Sequence, residues 1–144
     1  MGCDIHIHTE VLRSGKWWWM DKHWLDPFDM RMDHEEIWEG RNYVLFEILA
    51  GVRAGYGSRE YEQIADRRGL PSDLSAEVAK LAEGWRNDGH SHSWLSLHDL
   101  EAYAEGKKER LREVTDFFDV VIPKLQEMSP YSPHAARIVF WFDC

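Results

Sequence analysis

The chain has 144 residues, of which 44% are hydrophobic and 30% are charged, and its formal net charge is −9 at pH 7. This composition is typical of a globular protein, and the length predicts one domain over residues 1–144. No apolar run reaches the roughly 20 residues that cross a bilayer, and the N-terminus lacks a secretory signal, so we expect a cytoplasmic protein without a membrane partner. The negative charge disfavours long nucleic acids, whose partners usually carry a basic patch.

The first predicted element is a β-hairpin. Residues 3–13 alternate between apolar and polar side chains with a period of two, which is typical of a half-buried strand. Ser14 and Gly15 form a predicted turn, after which KWWWM at 16–20 returns as the second strand. The acidic residues 21–40 show no clear period and are predicted to form an irregular loop.

Helices are predicted in the middle of the chain. Asn42 is a candidate N-cap for a helix through YVLFEILA that ends at Gly51, and Ser75 is a candidate N-cap for AEVAKLAE. The following residues, 85–94, are predicted to be a loop. Ser96 and Asp99 resemble a capping box for the next helix.

The C-terminal third predicts a longer helix and a final strand. Apolar residues at helical spacing indicate a helix over about 107–128, in which Pro123 either introduces a kink or begins a new turn. The segment RIVFWFD at 137–143 is a predicted strand with Ile138, Phe140 and Phe142 on one face. Strands at both ends with helices between them predict an α+β fold. We expect a small mixed or antiparallel sheet, including the N-terminal hairpin and the C-terminal strand, packed with three to four helices.

The spacing D-x-H-x-H occurs twice, first in the predicted N-terminal strand and again in the predicted loop. Side chains two residues apart on a strand lie on one face about 6.5–7 Å apart, so two imidazoles can converge on one ion. Imidazole and carboxylate suit a divalent transition metal, and we predict one or two ions of zinc, manganese, iron or nickel. Each aspartate is either a ligand or a hydrogen-bond acceptor that orients a histidine. The predicted metal-binding set is Asp4, His6, His8, Asp88, His90 and His92.

A metal ion with open coordination positions activates water, which is hydrolase chemistry. Glu10 lies on the same predicted strand face as His6 and is a candidate general base, and Asp88 is the second candidate catalytic residue. Asp143 is a candidate further ligand if the last strand pairs beside the first. The alternative for these groups is a solvated strand face and a polar loop that hold no metal.

Other residues complete the predicted site. Trp94 follows the second histidine pair, and Arg53 and Arg68 lie in or beside loops, so these three are candidate substrate-binding residues for a nucleotide-like molecule. Solvated arginines and a buried tryptophan explain the same residues. Cys3 and Cys144 are expected to be reduced thiols, either inert or, for Cys3, a thiolate beside the metal. The remaining histidines are predicted to be structural or surface residues: His23, His34, His98 and His134.

Several segments along nearly the whole chain resemble an uncharacterised family of small phage and prophage proteins: MGCDIH, RNYVLFEILAGVR, RGLPSDLS, DGHSHSWLSL, VIPKL and RIVFWFD. The resemblance implies a phage-encoded accessory protein in the cytoplasm of a bacterial host, and it implies no mechanism. The opening D-x-H-x-H also looks like the first-strand His-x-His of amidohydrolase and PHP-type metal hydrolases. Those enzymes are much longer barrels, so this second similarity concerns local metal chemistry alone.

The sequence favours a metal-dependent hydrolase that acts on a phosphoester or nucleotide-like small molecule in a phage accessory role. The alternative is a non-enzymatic binding protein. In that alternative, a structural metal or a histidine–aspartate network pins the first strand to residues 88–97. The arginine and tryptophan surface would then sequester a ligand or engage a host protein.

Overall fold

The computed structural model describes residues 2–28, 34–53, 61–106 and 112–144. Its strands are β1 (Asp4–Arg13), β2 (Lys16–Trp19), β3 (Gly89–Ser96) and β4 (Ala136–Asp143). Its α-helices are α1 (Tyr43–Ala50), α2 (Ala76–Trp85), α3 (Leu97–Gly106) and α4 (Thr115–Met128). The predicted α+β fold is confirmed, and no helix in the described ranges has the length and apolarity needed to traverse a bilayer.

The four strands form one antiparallel sheet in the order β2-β1-β4-β3. The predicted hairpin is confirmed, because β1 pairs with β2 through a turn in which Gly15 has a φ of 75°. The predicted C-terminal strand is confirmed too, and β4 lies between β1 and β3 at the centre of the sheet. The register of β1 and β4 places Asp4 opposite Asp143 and Glu10 opposite Arg137, so the two ends of the chain meet.

The main core lies on one face of the sheet. Alternate residues of β1 and β4 point to this face, among them Ile5, Ile138 and Phe140, and pack against α1, α3 and α4. Ile7, Phe140 and Phe142 are fully buried there. α1 is buried along most of its length. The helices therefore cover one face of the sheet and leave the opposite face for other packing.

The opposite face of the sheet packs against α2. Val78 and Ala82 of α2 contact Val139 and Trp141 of β4 in a second, smaller cluster of buried residues. Partly buried tryptophans surround this cluster, among them Trp85. The side chains of His6, His8 and Glu10 point to the same face, and we call it the α2 face.

Local capping signals in the sequence are confirmed. The side chains of Asn42 and Ser75 each accept a hydrogen bond from the backbone three residues later, and Gly51 ends α1 with a φ of 69°. Ser96 and Asp99 form the predicted capping box, in which each side chain accepts a hydrogen bond from the other residue's backbone N–H.

Two element predictions were wrong. Residues 89–94 of the predicted loop lie in the edge strand β3, because hydrogen bonds to β4 order a segment that has little apolar periodicity of its own. The long predicted helix begins at Thr115 and follows a short 3₁₀ turn over Arg112–Val114, and Pro123 lies inside it. The predicted helical residues 107–111 lie outside the described part of the chain.

Candidate functional site

The first D-x-H-x-H copy lies on the α2 face, and aspartates from distant segments hold its histidines. Nε2 of His6 lies 2.8 Å from Oδ2 of Asp143, so the pairing of first and last strands that we considered from the sequence does bring these two groups together. Nδ1 of His8 donates to Oδ2 of Asp21 over 2.6 Å. Asp4 instead accepts two hydrogen bonds from Arg41, which, with the nearby charges, lowers the pKa of its carboxyl.

Asp21 is a buried carboxylate that the sequence did not single out. Its other oxygen accepts hydrogen bonds from both the backbone N–H and the hydroxyl of Thr9. The indole N–H of Trp24 donates to the same hydroxyl. Asp21 belongs to an acidic segment without periodicity, so its pattern gave no sign that it would lie fully buried beneath His8. The network fixes His8 to the segment that follows the hairpin.

Glu10, the candidate general base, lies in a fully buried ion pair. Its Oε1 accepts from Nε and Nη2 of Arg137 over 2.8 and 2.7 Å, and its Oε2 accepts from the backbone N–H of Ser75 over 2.7 Å. The carboxylate therefore joins β1, β4 and the N-terminus of α2. A catalytic role for Glu10 stays a prediction.

The second D-x-H-x-H copy is divided by a β-bulge in β3. Ser91 has a φ of 58°, and the register of β3 against β4 shifts between His90 and Ser93. His90 therefore pairs with Phe142 and lies near the sheet end, whereas the ring of His92 lies 5.8 Å from that of Trp141 on the α2 face. Burial lowers the pKa of His92, and the charge of His90 lowers it further.

The strand order keeps the two copies apart. Strand β4 lies between β1 and β3, so the backbones that carry the copies are about 10 Å apart. The ring of Trp141 occupies this space, 4.9 Å from the ring of His8. Among the residues that the structure describes, the four predicted histidines do not bring three ligand atoms together. Joint metal binding by the two copies stays a prediction.

Within the described ranges, one group has the spacing of a metal site: Cys3, His90 and Cys144. Its ligand atoms lie within 4.8 Å of one another, and Nε2 of His90 is 3.2 Å from Sγ of Cys144. The expectation of two reduced thiols was wrong for this structure, in which a disulfide joins Cys3 to Cys144. The cause is the β1–β4 register, which continues past Asp4 and Asp143 to place the two cysteines opposite each other.

A cavity of about 480 Å³ lies beside this group, and we call it the terminal cavity. His90, Asp143 and Cys144 line it, together with the predicted catalytic residue Asp88. Three residues that the sequence suggested for one site, Asp88, His90 and Asp143, thus line one cavity, but the histidines of β1 do not line it.

A larger cavity of about 770 Å³ lies at the other end of the α2 face. Two of the predicted substrate-binding residues, Arg68 and Trp94, line it, and Trp17 and Arg137 line it beside them. The third predicted residue, Arg53, lies elsewhere, with its guanidinium carbon 5.0 Å from the ring centre of Tyr43. We call this cavity the Trp–Arg cleft.

Cationic and aromatic groups alternate along the Trp–Arg cleft. The guanidinium carbon of Arg137 lies 3.8 Å from the ring centre of Trp17 and 5.8 Å from that of Trp94. The guanidinium carbon of Arg68 lies 4.5 Å from the ring centre of Trp94. Such contacts stabilise both partners and restrict the side chains to one arrangement before any ligand arrives.

Two aspartates balance the charge of these arginines. Nη1 of Arg137 donates to Asp73, and Nη1 of Arg68 donates to Asp99 over 2.7 Å. Burial raises the pKa of each aspartate, but the hydrogen bond and charge of its arginine lower it more, so both pKa values lie below the ordinary range. Both carboxylates are therefore ionised at neutral pH, and the cleft contains two arginine–aspartate ion pairs.

Two histidines of the cleft were missed as functional candidates. His98 and His134 line it, and their ring centres are 4.5 Å apart. His98 lies in the first turn of α3, and the strand β4 follows His134 closely, so neither has a partner at short sequence spacing. The sequence contains no signal for this pair, because the contact depends on the packing of two distant segments.

Comparisons of the chain with models of protein families, with curated proteins and with solved structures found no match.

Proposed function

We propose that the protein binds a small nucleotide-like molecule, with a planar ring and an attached phosphate, in the Trp–Arg cleft. One observation carries the proposal: Arg68 and Trp94, which the sequence suggests for this purpose, line a cleft of about 770 Å³ beside a second arginine–tryptophan pair. Clefts that hold small molecules usually measure about 300–1,000 Å³ and combine aromatic walls with a few polar groups.

Each half of such a ligand has a counterpart in the cleft. An aromatic side chain such as Trp94 can stack on a nucleobase, which contributes about 1–3 kcal/mol per base. Arg68 is the cation for the phosphate, because its side chain is 29% exposed, whereas that of Arg137 is 3% exposed and is held by Glu10. A guanidinium binds phosphate with a planar fork of donors.

The paired charges set the expected strength of binding. A phosphate that approaches Arg68 must compete with Asp99, whose carboxylate already accepts from Nη1. The ligand then exchanges one charge-assisted hydrogen bond for another, so the net gain is smaller than for an unpaired arginine. We expect micromolar rather than nanomolar affinity, and stronger binding for a ligand that uses both the ring and the phosphate.

Isothermal titration calorimetry with nucleoside monophosphates tests the proposal, with nucleosides and ribose 5-phosphate as matched fragments. We expect each fragment to bind at least about 10-fold more weakly than the whole nucleotide. Trp94→Ala and Arg68→Ala should each weaken nucleotide binding by about 10-fold or more. Trp18→Ala and Arg13→Ala are the matched controls, because both side chains are exposed and neither lines the cleft.

Two results would reject the proposal. The first is an absence of heat or saturation for every nucleotide up to millimolar concentration. The second is a Trp94→Ala protein that binds the nucleotide with the wild-type Kd while retaining the wild-type melting temperature.

Hydrolysis of the bound ligand is the second candidate function, and His98 and His134 favour it. Two imidazoles in a cleft with a phosphate-binding arginine can act as general base and general acid on a phosphoester. The hydrolase predicted from the sequence differs in that it depends on a metal. Phosphate release is measured in the same titrations with and without a chelator, and only the metal-dependent reaction should stop when the chelator is present. His134→Ala should lower the metal-free reaction, and His23→Ala, which changes another exposed histidine, is its control.

A further inference from the structure

The two ends of the chain bring thiol and imidazole groups to one point. Antiparallel pairing of β1 with β4 places Cys3 opposite Cys144, and pairing of β4 with β3 adds His90 from the other side. Three ligand atoms at the ends of three strands therefore lie within 4.8 Å of one another. None of these contacts depends on the Trp–Arg cleft.

We propose that these residues form a zinc site that is available when the disulfide is reduced, with Cys3, His90 and Cys144 as ligands. Thiolate sulfur and imidazole nitrogen are the donors that zinc prefers. In a tetrahedral zinc site, two sulfur ligands lie about 3.8 Å apart, given Zn–S distances of about 2.3 Å. The sulfurs must therefore separate when the disulfide opens, and the exposed position of Cys144 permits this movement.

The surroundings of His90 prepare it for this role. Its Nδ1 lies 2.8 Å from the hydroxyl of Ser91, and its Nε2 faces the sulfur of Cys144. A hydrogen bond at one ring nitrogen fixes the ring and leaves the other nitrogen to the metal. The bulge at Ser91 is what directs His90 towards the cysteines while His92 stays on the α2 face.

The fourth coordination position opens on the terminal cavity. His90 and Cys144 line this cavity of about 480 Å³, as do the carboxylates of Asp88 and Asp143. Acidic groups raise the local concentration of cations, and either a carboxylate or water completes the coordination of the ion. Two thiolates and one histidine with an open position form a donor set that also occurs in catalytic zinc sites.

The change from the disulfide form to the zinc form requires a reductant, and a dithiol can supply the two electrons. The Cys3–Cys144 bond breaks, two S–H bonds form on the protein, and the two thiols of the reductant become its own disulfide. Zinc then forms two Zn–S bonds and displaces the two thiol protons to solvent. The ends of the chain are thus joined either by a disulfide or by a zinc ion.

Zinc titration of the full chain tests the site. Protein reduced with dithiothreitol and desalted without oxygen is titrated with Zn²⁺ against a chromophoric chelator, beside the oxidised protein. We expect one equivalent of Zn²⁺ in the reduced protein and affinity at least about 100-fold lower in the oxidised protein. With Co²⁺ instead, the reduced protein should show a thiolate-to-metal charge-transfer band.

Variants assign the ligands. Cys144→Ser and His90→Ala should each lower the zinc affinity of the reduced protein at least about 10-fold, whereas His92→Ala should leave it within about two-fold. Cys144 is exposed, so its variant keeps the core intact. The proposal is overturned if reduced wild type binds no zinc, or if Cys144→Ser binds it equally well. Loss of binding in His92→Ala with full binding in His90→Ala would also overturn it, in favour of a site on the α2 face.

Discussion

The substitution Glu10→Gln tests whether Glu10 stabilises the fold through its buried ion pair or acts as the general base predicted from the sequence. Both partners of the pair are almost completely buried, with side chains 3% and 0% exposed for Arg137 and Glu10. A glutamine has the same shape but no charge, and one end of its amide is a donor. If the amide oxygen faces Arg137, the NH₂ group faces the backbone N–H of Ser75, which is also a donor. In the reverse orientation, the NH₂ group faces the guanidinium of Arg137, so one pair of donors meets in either case.

The structure sets the size of the loss. Removing one partner of a buried ion pair usually costs about 3–5 kcal/mol, because the other charge stays buried. Arg137 keeps a second partner in Asp73, whose side chain is 62% exposed and therefore compensates weakly. We expect the free energy of unfolding to fall by about 3 kcal/mol, at the lower end of that range.

Urea unfolding followed by far-UV circular dichroism measures this change. Glu83→Gln, an exposed position in the last turn of α2, is the matched control and should alter the free energy of unfolding by less than about 0.5 kcal/mol. A loss below about 1 kcal/mol in Glu10→Gln would show that the ion pair does not stabilise the fold as argued. Intact stability with loss of a hydrolytic activity would instead support the predicted general base.

Two further predictions concern carboxylates near β1. Burial raises the pKa of Glu36 to about 8, so the folded protein holds a proton that the unfolded chain has lost, and stability falls as the pH rises from about 4.5 to about 8. This pKa difference corresponds to about 5 kcal/mol in the free energy of unfolding, and partial exposure of the side chain reduces it to about half. Glu36→Gln should therefore flatten the pH dependence of urea unfolding. Asp21→Asn should lower the free energy of unfolding by about 2–3 kcal/mol, because Asp21 accepts from His8 and Thr9, whereas the exposed Asp26→Asn control should leave it unchanged in the same assay.

Periodicity and capping chemistry could predict much of the fold. The alternation in β1 correctly divides a core face, with Ile5 and Ile7, from a polar face, with His6 and Glu10. Asn42 and Ser75 also begin their helices as predicted. These signals are local, since a strand's alternation or a cap depends on a few consecutive residues.

The arrangement of the site depends on long-range packing, which local patterns do not contain. The sequence contains two similar D-x-H-x-H segments, but the insertion of β4 between their strands and the bulge at Ser91 decide where the histidines point. The buried Asp21 and the contact between His98 and His134 are likewise products of tertiary structure. The residue types therefore suggested which side chains are candidates for function, whereas the topology of the sheet determines which of them lie close together.

Strand β4 relates the two candidate sites to each other. Its side chains on the α2 face are, in order, Arg137 in the Trp–Arg cleft, Val139 and Trp141 beneath α2, and Asp143 in the terminal cavity. Six residue steps of about 3.4 Å place the sites about 20 Å apart along one rigid strand. Because α2 covers the residues between them, a ligand in one cavity does not reach the other. Direct contact therefore cannot join the two sites, and any coupling between them must pass through the protein that separates them.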